Sequence, residues 1–295
     1  MRFAVLAAPD SWYARDLIRA AAAEHEIAIL PFSEIAAEIG GAGGTRVVSA
    51  GCDLADFDAV IVRTMPPGSL EQVVFRMDCL ARLEAAGVVV MNPARAIEAA
   101  VDKFLTSAKL QAAGLLTPRT ITCQSADDAM IAFEKLGGDV VVKPLFGSEG
   151  RGITRINDEA LTLRAFRMLA QLGAVLYVQE FIPHEGHDLR LMVIGDRTLA
   201  MRRANPLDWR TNISRGAKAE AFVPDDALIA MARQAADSVG APLAGVDLLP
   251  GRDGKLYVLE VNAVPGWKGL ARALDVDVAA AVLEFVAGRV LAGSG

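Results

Sequence analysis

The sequence predicts an α/β fold. Three observations carry that prediction. Strand-like and helix-like segments alternate through residues 1–92, the 295-residue chain is 53% hydrophobic, and two alternating apolar runs near the C-terminus flank the turn pair Asp253-Gly254 as a β-hairpin does. That length and apolar content supply core material for two or three modest domains.

The first region is residues 1–92. Its opening apolar run is too short for a signal peptide and Asp10 follows it at once, so residues 3–8 read as a first strand. A helix over 11–23, a strand over 27–30, a strand over 59–62, a helix over 70–86 and a strand over 88–91 complete a small α/β layer with a parallel sheet. The run G-G-A-G-G at 40–44 neither follows the first strand nor opens a helix, so it reads as a flexible loop and not as a dinucleotide site.

The second region, 93–181, opens at Asn92-Pro93. A helix is expected over 103–113, a strand over 119–123, a helix opened by Ser125 with Asp128 three residues on, and a strand over 140–143. The segment F-G-S-E-G-R-G at 146–152 follows, and its glycines permit backbone angles that let amide groups close over phosphate oxygens. The third region, 182–295, holds strands over 189–194 and 198–203, a polar loop over 205–216, the hairpin strands 244–249 and 256–261, and a C-terminal helix.

Composition narrows the function. A net charge of -6 and a pI near 5.2 give no basic footprint for nucleic acid, and no run reaches the ~18 apolar residues of a membrane span. Cys52, Cys79 and Cys123 stand far apart without metal spacing, as expected of free thiols in a reducing cytoplasm. Arg190, Arg202, Arg203, Arg210 and Arg215 nevertheless bunch within an acidic chain, which suits an anionic ligand or a solvated strand.

The hairpin carries the strongest chemical signal. Asp247 and Glu260 can face each other on paired strands, and Glu260 and Asn262 share a face, giving hard oxygen ligands suited to Mg²⁺ and its phosphates, or a solvated carboxylate pair. Lys143 ends the strand V-V-V-K just before the glycine segment, where an ammonium would meet phosphate oxygens; a lysine before proline is also an ordinary exposed residue. Lys103 follows Asp102 at a helix start, as much a capped terminus as a ligand site. The segment V-Q-E-F-I at 178–182 reads as a hinge for an adenine ring, with Glu180 accepting from it, or as a plain edge strand. Asp188 and Arg190 share a strand face. The preceding H-E-G-H lacks zincin spacing.

Taken in order, Asp102-Lys103, V-V-K-P with F-G-S-E-G-R-G, V-Q-E-F-I, D-L-R, R-T-N-I-S-R-G, G-V-D-L-L and E-V-N-A-V-P-G resemble the ATP-grasp carboxylate-amine ligases of the RimK-like branch, over residues 1 to about 290. The resemblance implies an ATP-grasp fold behind a Rossmann-like pre-ATP-grasp domain, with ATP and Mg²⁺ (Mn²⁺ as a substitute) as cofactors. It implies Lys103, Lys143 and the loop residues Gly147, Ser148, Gly150 and Gly152 at the phosphates, Glu180 and Phe181 at the adenine, and Asp188 at the ribose. Arg210, Thr211 and Asn212 would face the phosphates, and Asp247, Glu260 and Asn262 would be the metal ligands. The implied reaction passes a phosphoryl group to a carboxylate and joins the acyl phosphate to the amine of L-glutamate, with Arg190, Arg203 and Arg215 as candidates to hold the acyl phosphate. The endings P-G-W-K-G and V-R-T-M-P-P-G are similar to glutamate ligases of tetrahydromethanopterin-type or methylofuran-type cofactors, which implies a carboxylate-bearing small-molecule acceptor. Trp267 is then either a plate for a flat substrate or a core residue. A ligase acting on a peptide tail and a nucleotide-binding module without activity are the alternatives. By the same likeness the chain is expected to be a cytoplasmic homo-oligomer with no nucleic-acid or membrane partner.

Overall fold

A computed structural model describes residues 1–41, 44–147 and 150–293. The first region folds in the order β1 (Arg2–Leu6), α1 (Trp12–Ala21), β2 (Glu26–Leu30), β3 (Ala36–Gly41), β4 (Gly44–Ser49), β5 (Cys52–Asp53), β6 (Ala59–Val62), α2 (Leu70–Ala85) and β7 (Val89–Met91). Its main sheet is parallel with order β2-β1-β6-β7. β1 and β6 are covered on both faces, which is why they read as unbroken apolar runs. The loop expected at the glycine run is instead flanked directly by strands: β3, β4 and β5 form a small antiparallel sheet, and only residues 42 and 43 lie outside the described residues. Glycines and a charged edge masked that hairpin from a periodicity reading.

The second region contains α3 (Ala94–Val101), α4 (Lys103–Ala112), β8 (Thr120–Cys123), α5 (Ala126–Lys135), β9 (Val140–Lys143), β10 (Thr154–Ile156), α6 (Glu159–Gln171) and β11 (Leu176–Glu180). The sheet β10-β9-β11-β8 is antiparallel, with α5 and α6 on one face around Phe133, Val142, Phe166 and Val178. α3 and α4 pack elsewhere: Ala96, Ile97 and Leu110 join the core that links the first and third regions.

The third region contains β12 (His187–Ile194), β13 (Arg197–Ala204), β14 (Lys218–Ala221), α7 (Asp226–Val239), β15 (Leu243–Pro250), β16 (Leu256–Asn262), α8 (Lys268–Leu274) and α9 (Val278–Gly293). Its antiparallel sheet has the order β14-β13-β12-β15-β16. α7 covers one face with Ala232, Ala235 and Ala236, small residues that let helix and sheet approach closely. α9 lies along α1, where Arg19 forks onto Asp277 at 2.7 and 2.8 Å. Among the described residues no helix is long and apolar enough to cross a membrane.

Candidate active site

The other face of the third sheet carries a lattice of alternating charge. Asp188 and Arg190 point to one side of β12 because they are two residues apart, and the register sets Arg203 of β13 opposite Asp188 and Asp247 of β15 opposite Arg190. Arg203 donates from Nε and Nη2 to the two oxygens of Asp188 at 2.8 and 2.5 Å, and Nη2 also lies 2.9 Å from Asp247 Oδ2. Arg190 grips Asp247 through Nε and Nη2 at 2.6 and 2.7 Å, and the Thr211 hydroxyl donates to Asp188 at 2.6 Å. Burial pushes the Asp247 carboxyl up, but Arg190 and Arg203 more than offset it and hold it well below the carboxylate range. Burial dominates at Asp188, which is raised.

Glu260 reaches this lattice through a bulge. Leu248 pairs with Val258, so regular pairing would put Leu259 opposite Asp247; one extra residue in β16 puts Glu260 there instead. Among the described residues its carboxylate has only Arg190 Nη2 at 3.7 Å as an ion-pair partner, and its side chain is 36% exposed at the edge of the lattice. Burial of its surroundings and the Asp247 charge raise its pKa. Asn262, two residues on, shares that face and accepts from Val264 N at 2.8 Å through Oδ1.

The second region supplies the opposing wall. Lys143 ends β9, and Lys103 begins α4, whose N-terminus is capped by Asp102 accepting from Leu105 N at 3.0 Å. Tyr177 of β11 pairs with Lys143, and its hydroxyl shares a 2.8 Å hydrogen bond with Ser107 Oγ that ties α4 to the sheet. Gln179 braces that hydroxyl at 3.2 Å and Thr120 Oγ1 at 2.9 Å. Desolvation lowers both lysines, Lys143 to about 8, and the charge of Glu260 does most to oppose it. Two desolvated ammonium groups thus look across at one open carboxylate.

The glycine segment closes this cleft. Lys103 Nζ donates to Gly147 O at 2.9 Å, and Arg215 Nη2 and Arg210 Nη1 each donate at 3.5 Å, to Gly150 O and Ile153 O. Gly150 has φ +70°, and a Cβ there would stand 2.5 Å from Asn212 Oδ1; Gly152, at φ +73°, would press on Pro144. Glycine is therefore what lets the segment rest on residues 210–215. Ser148, expected among its phosphate contacts, lies outside the described residues.

Several expectations need correction. Asp188 is only 1% exposed and both its oxygens are taken by Arg203 and Thr211, so it is sealed from a ribose. Arg203, 3% exposed between two aspartates, is a structural cation and not a holder of acyl phosphate. Asp247 does face Glu260, but its carboxylate is committed to two guanidinium groups. Glu180 Oε1 accepts from Arg119 N at 2.7 Å, which fastens β11 to the start of β8 and commits one of the two oxygens expected to be available to adenine. Phe181 offers its ring, stacked 3.5 Å from the Arg155 guanidinium beside Trp209, to a cavity of about 550 Å³ that opens between the hinge and residues 205–209. Trp267 is fully buried and donates to Asp16 at 2.9 Å, a core residue and no substrate plate.

Sequence reasoning missed three buried polar groups. Asn92 makes three hydrogen bonds, to Leu243 N, Leu243 O and Ala263 O. Arg63 donates to Pro265 O at 2.7 Å, and Tyr177 holds α4 as described. Arg63 had a readable signal, a charge directly after a fully apolar strand; Asn92 and Tyr177 had none.

The donor set fits a nucleotide triphosphate with an oxygen-seeking dication: desolvated lysines, backbone at a glycine segment, one open carboxylate and an amide. Among the described residues no three His, Cys, Asp or Glu side chains gather as a metal cluster.

Comparison with known proteins shows the family of the chain. The RimK PreATP-grasp domain matches residues 1–97 and the RimK-like ATP-grasp domain matches residues 100–286. The chain is 33% identical to the tetrahydromethanopterin:alpha-L-glutamate ligase of Methanosarcina acetivorans, over 94% of this chain and 96% of that one. It is 30% identical to a probable alpha-L-glutamate ligase of Legionella pneumophila, over 97% and 95% of the two chains. The ATP-grasp ligase PsnB complexed with its minimal precursor superposes with a TM-score of 0.76 at 25% identity, over 97% and 98% of the chains. The RimK domain ATP-grasp protein of Sphaerobacter thermophilus superposes at 0.74 and 25%, over 97% and 99%. The chain belongs to the RimK-like ATP-grasp ligases, and it carries their pre-ATP-grasp domain ahead of the ATP-grasp fold.

Proposed function

We propose that this ligase joins the amine of L-glutamate to a carboxylate of a small C1-carrier cofactor of the tetrahydromethanopterin or methylofuran type, at the expense of ATP. The observation that carries the chemistry is the meeting of Lys103, Lys143 and Glu260 across a desolvated cleft. The relatives that are tetrahydromethanopterin:alpha-L-glutamate ligases support the acceptor and the amine.

In this reading an acceptor carboxylate oxygen attacks the γ-phosphorus, ADP leaves, the glutamate amine attacks the acyl carbon, and phosphate departs as the nitrogen loses a proton. Mg²⁺ held by Glu260 and Asn262 would neutralise charge on the phosphates. PsnB, the same fold at a TM-score of 0.74, has been solved with Mg and ADP. Lys103 and Lys143 bring fixed positive charge to the transferring group, and the low dielectric around them strengthens it. Arg215 holds the glycine segment down through Gly150 O, excluding water. Arg190, which bridges Asp247 and Glu260, is the guanidinium this reading assigns to the acyl phosphate.

The test is ADP release with Mg-ATP and L-glutamate against a tetrahydromethanopterin carrier, a methylofuran carrier and glutamate-terminated peptides, with product masses read in parallel. A glutamyl increment on one carrier is the expected result, and Glu260→Gln should abolish it while melting normally. The precursor-bound PsnB structure favours a peptide tail as second reading, so an increment on the peptides alone would move the acceptor there. ATP binding without acceptor-dependent ADP in any arm would overturn the acceptor assignment.

A further inference from the structure

Arg63 is not used by the mechanism above. It follows directly on β6, a wholly apolar strand, and is 5% exposed. Nη2 donates to Pro265 O, and the guanidinium lies 4.2 Å from the Trp267 ring centroid and 5.0 Å from that of Tyr13. Nε and Nη1 are buried with no hydrogen-bond partner, and no described carboxylate pairs with the group. Burial pushes its pKa down to about 10. Stacking on two rings offsets part of the charge, but it leaves the in-plane N–H groups unsatisfied, and such groups call for an acceptor.

The position of Arg63 is equally telling. The chain leaves β1 toward β2 on one side and β6 toward β7 on the other, so the crevice at the carboxyl ends of β1 and β6 is the topological switch point where open α/β sheets place ligands. Arg63 N and Thr64 N both donate to Leu6 O at that point, at 2.9 and 3.1 Å. The reaction centre is close by. Pro265 follows Asn262 by three residues, and a Cβ on Gly245 would stand 3.1 Å from Pro265 Cβ and 3.9 Å from Arg190 Nε.

We propose that Arg63 anchors a non-reacting carboxylate of the amino-acid substrate, which makes the switch point of the first domain the amino-acid subsite of the ligase. This rests on the glutamate reading above. Glutamate carries two carboxylates that do not react, and each needs a cation. Lys103 and Lys143 face the phosphates, Arg190 is assigned above to the acyl phosphate, and Arg203 is enclosed by Asp188 and Asp247. Arg63 combines a planar fork, donors with no partner among the described residues and a place beside the segment that follows the metal-ligand strand. Because those donors are sealed, binding displaces the half-buried Tyr13 ring that stacks on them.

Calorimetric titration of L-glutamate, and of glutarate, which lacks the amine, into protein saturated with Mg-AMPPNP tests this. Wild type should bind both. Arg63→Met should weaken both about 100-fold, leave the AMPPNP Kd within about twofold, and melt no lower than wild type, since it removes an unsatisfied buried charge. Arg63→Lys, which keeps the charge and loses the fork, should lose about tenfold, and it decides the matter if the methionine variant does not fold. A purely structural clamp would instead lower the melting temperature and leave glutamate affinity alone. Glutamate affinity retained within threefold in either folded variant overturns this proposal only. Wild type that binds AMPPNP but neither carboxylate overturns the glutamate reading together with it.

Discussion

Lys143 shows how burial becomes a functional property. Its pKa is lowered to about 8, chiefly by desolvation, from the ordinary lysine value of 10.5. A base depressed in the folded state disfavours the fold when protonated, so without nucleotide stability should rise as pH climbs from 8 toward 10.5. Nucleotide binding has the opposite sign, because phosphate charge favours the ammonium. Affinity for Mg-AMPPNP should therefore fall as pH rises above about 8, and calorimetry in buffers of different ionisation enthalpy should show proton uptake on binding near that pH. Binding independent of pH from 7 to about 9.5 would remove Lys143 from the phosphates. Arg203 makes the contrary case, a charged residue whose work is internal. Arg203→Leu leaves Asp188 and Asp247 buried side by side without their shared cation, which should cost about 3–5 kcal/mol in a denaturant melt. These residues also mark what the sequence could tell. Their types and strand parity were legible, and they do lie on one face. Which carboxylates are free and which are gripped depends on partners more than fifty residues away, such as Arg190 for Asp247, and no local pattern encodes that.

The elements read most clearly were those whose environment is uniform. β1, β6 and β9 are buried apolar runs, and α5 begins at Ser125 as its cap requires. The β15 and β16 hairpin was legible too, but not its bulge, because an extra residue in one strand is set by the pairing and not by either strand's own alternation. α3 was unexpected for a related reason: it is a short helix whose apolar face answers to α7 and β16, far along the chain, as well as to α2 and α4 beside it. The joints between elements are where polar side chains act as fasteners. Asn92 follows β7, is fully buried, and holds the start of β15 and the residue after β16 with three hydrogen bonds. Asn92→Ala would leave Leu243 N, Leu243 O and Ala263 O without those partners in a dry interior. At about 1–3 kcal/mol for each group left unsatisfied, the loss should exceed 3 kcal/mol. Because Ala263 adjoins Asn262, the same variant should also weaken Mg-dependent AMPPNP binding, read by calorimetry on the fraction that remains folded.

At the scale of the whole molecule, the boundaries drawn by sequence pattern do not coincide with the boundaries of the cores. The pre-ATP-grasp match ends at residue 97, yet neither face of the first sheet is closed by residues 1–97 alone. Phe3, Val5 and Ile61 pack in one cluster with Ile194, Trp267, Val282 and Val286. On the other side Leu6, Val60 and Val62 continue into Leu191, Val246 and Val261. The unit built of β8 to β11, α5 and α6, by contrast, has a core of its own. Burying apolar surface is what offsets chain entropy, at about 25 cal/mol per Å², so a fragment that exposes both faces of its sheet lacks the means to fold. A fragment of residues 1–97 is therefore expected to be unfolded or aggregated by circular dichroism and proton NMR, and to become ordered when co-expressed with residues 98–295. A cooperative melt of the isolated fragment would refute the shared core. The same continuity explains why a guanidinium and an amide from the first domain can be buried against the segment that follows the metal-ligand strand: the first and third regions fold as one body, and the cleft is set between that body and the smaller unit carrying Lys143.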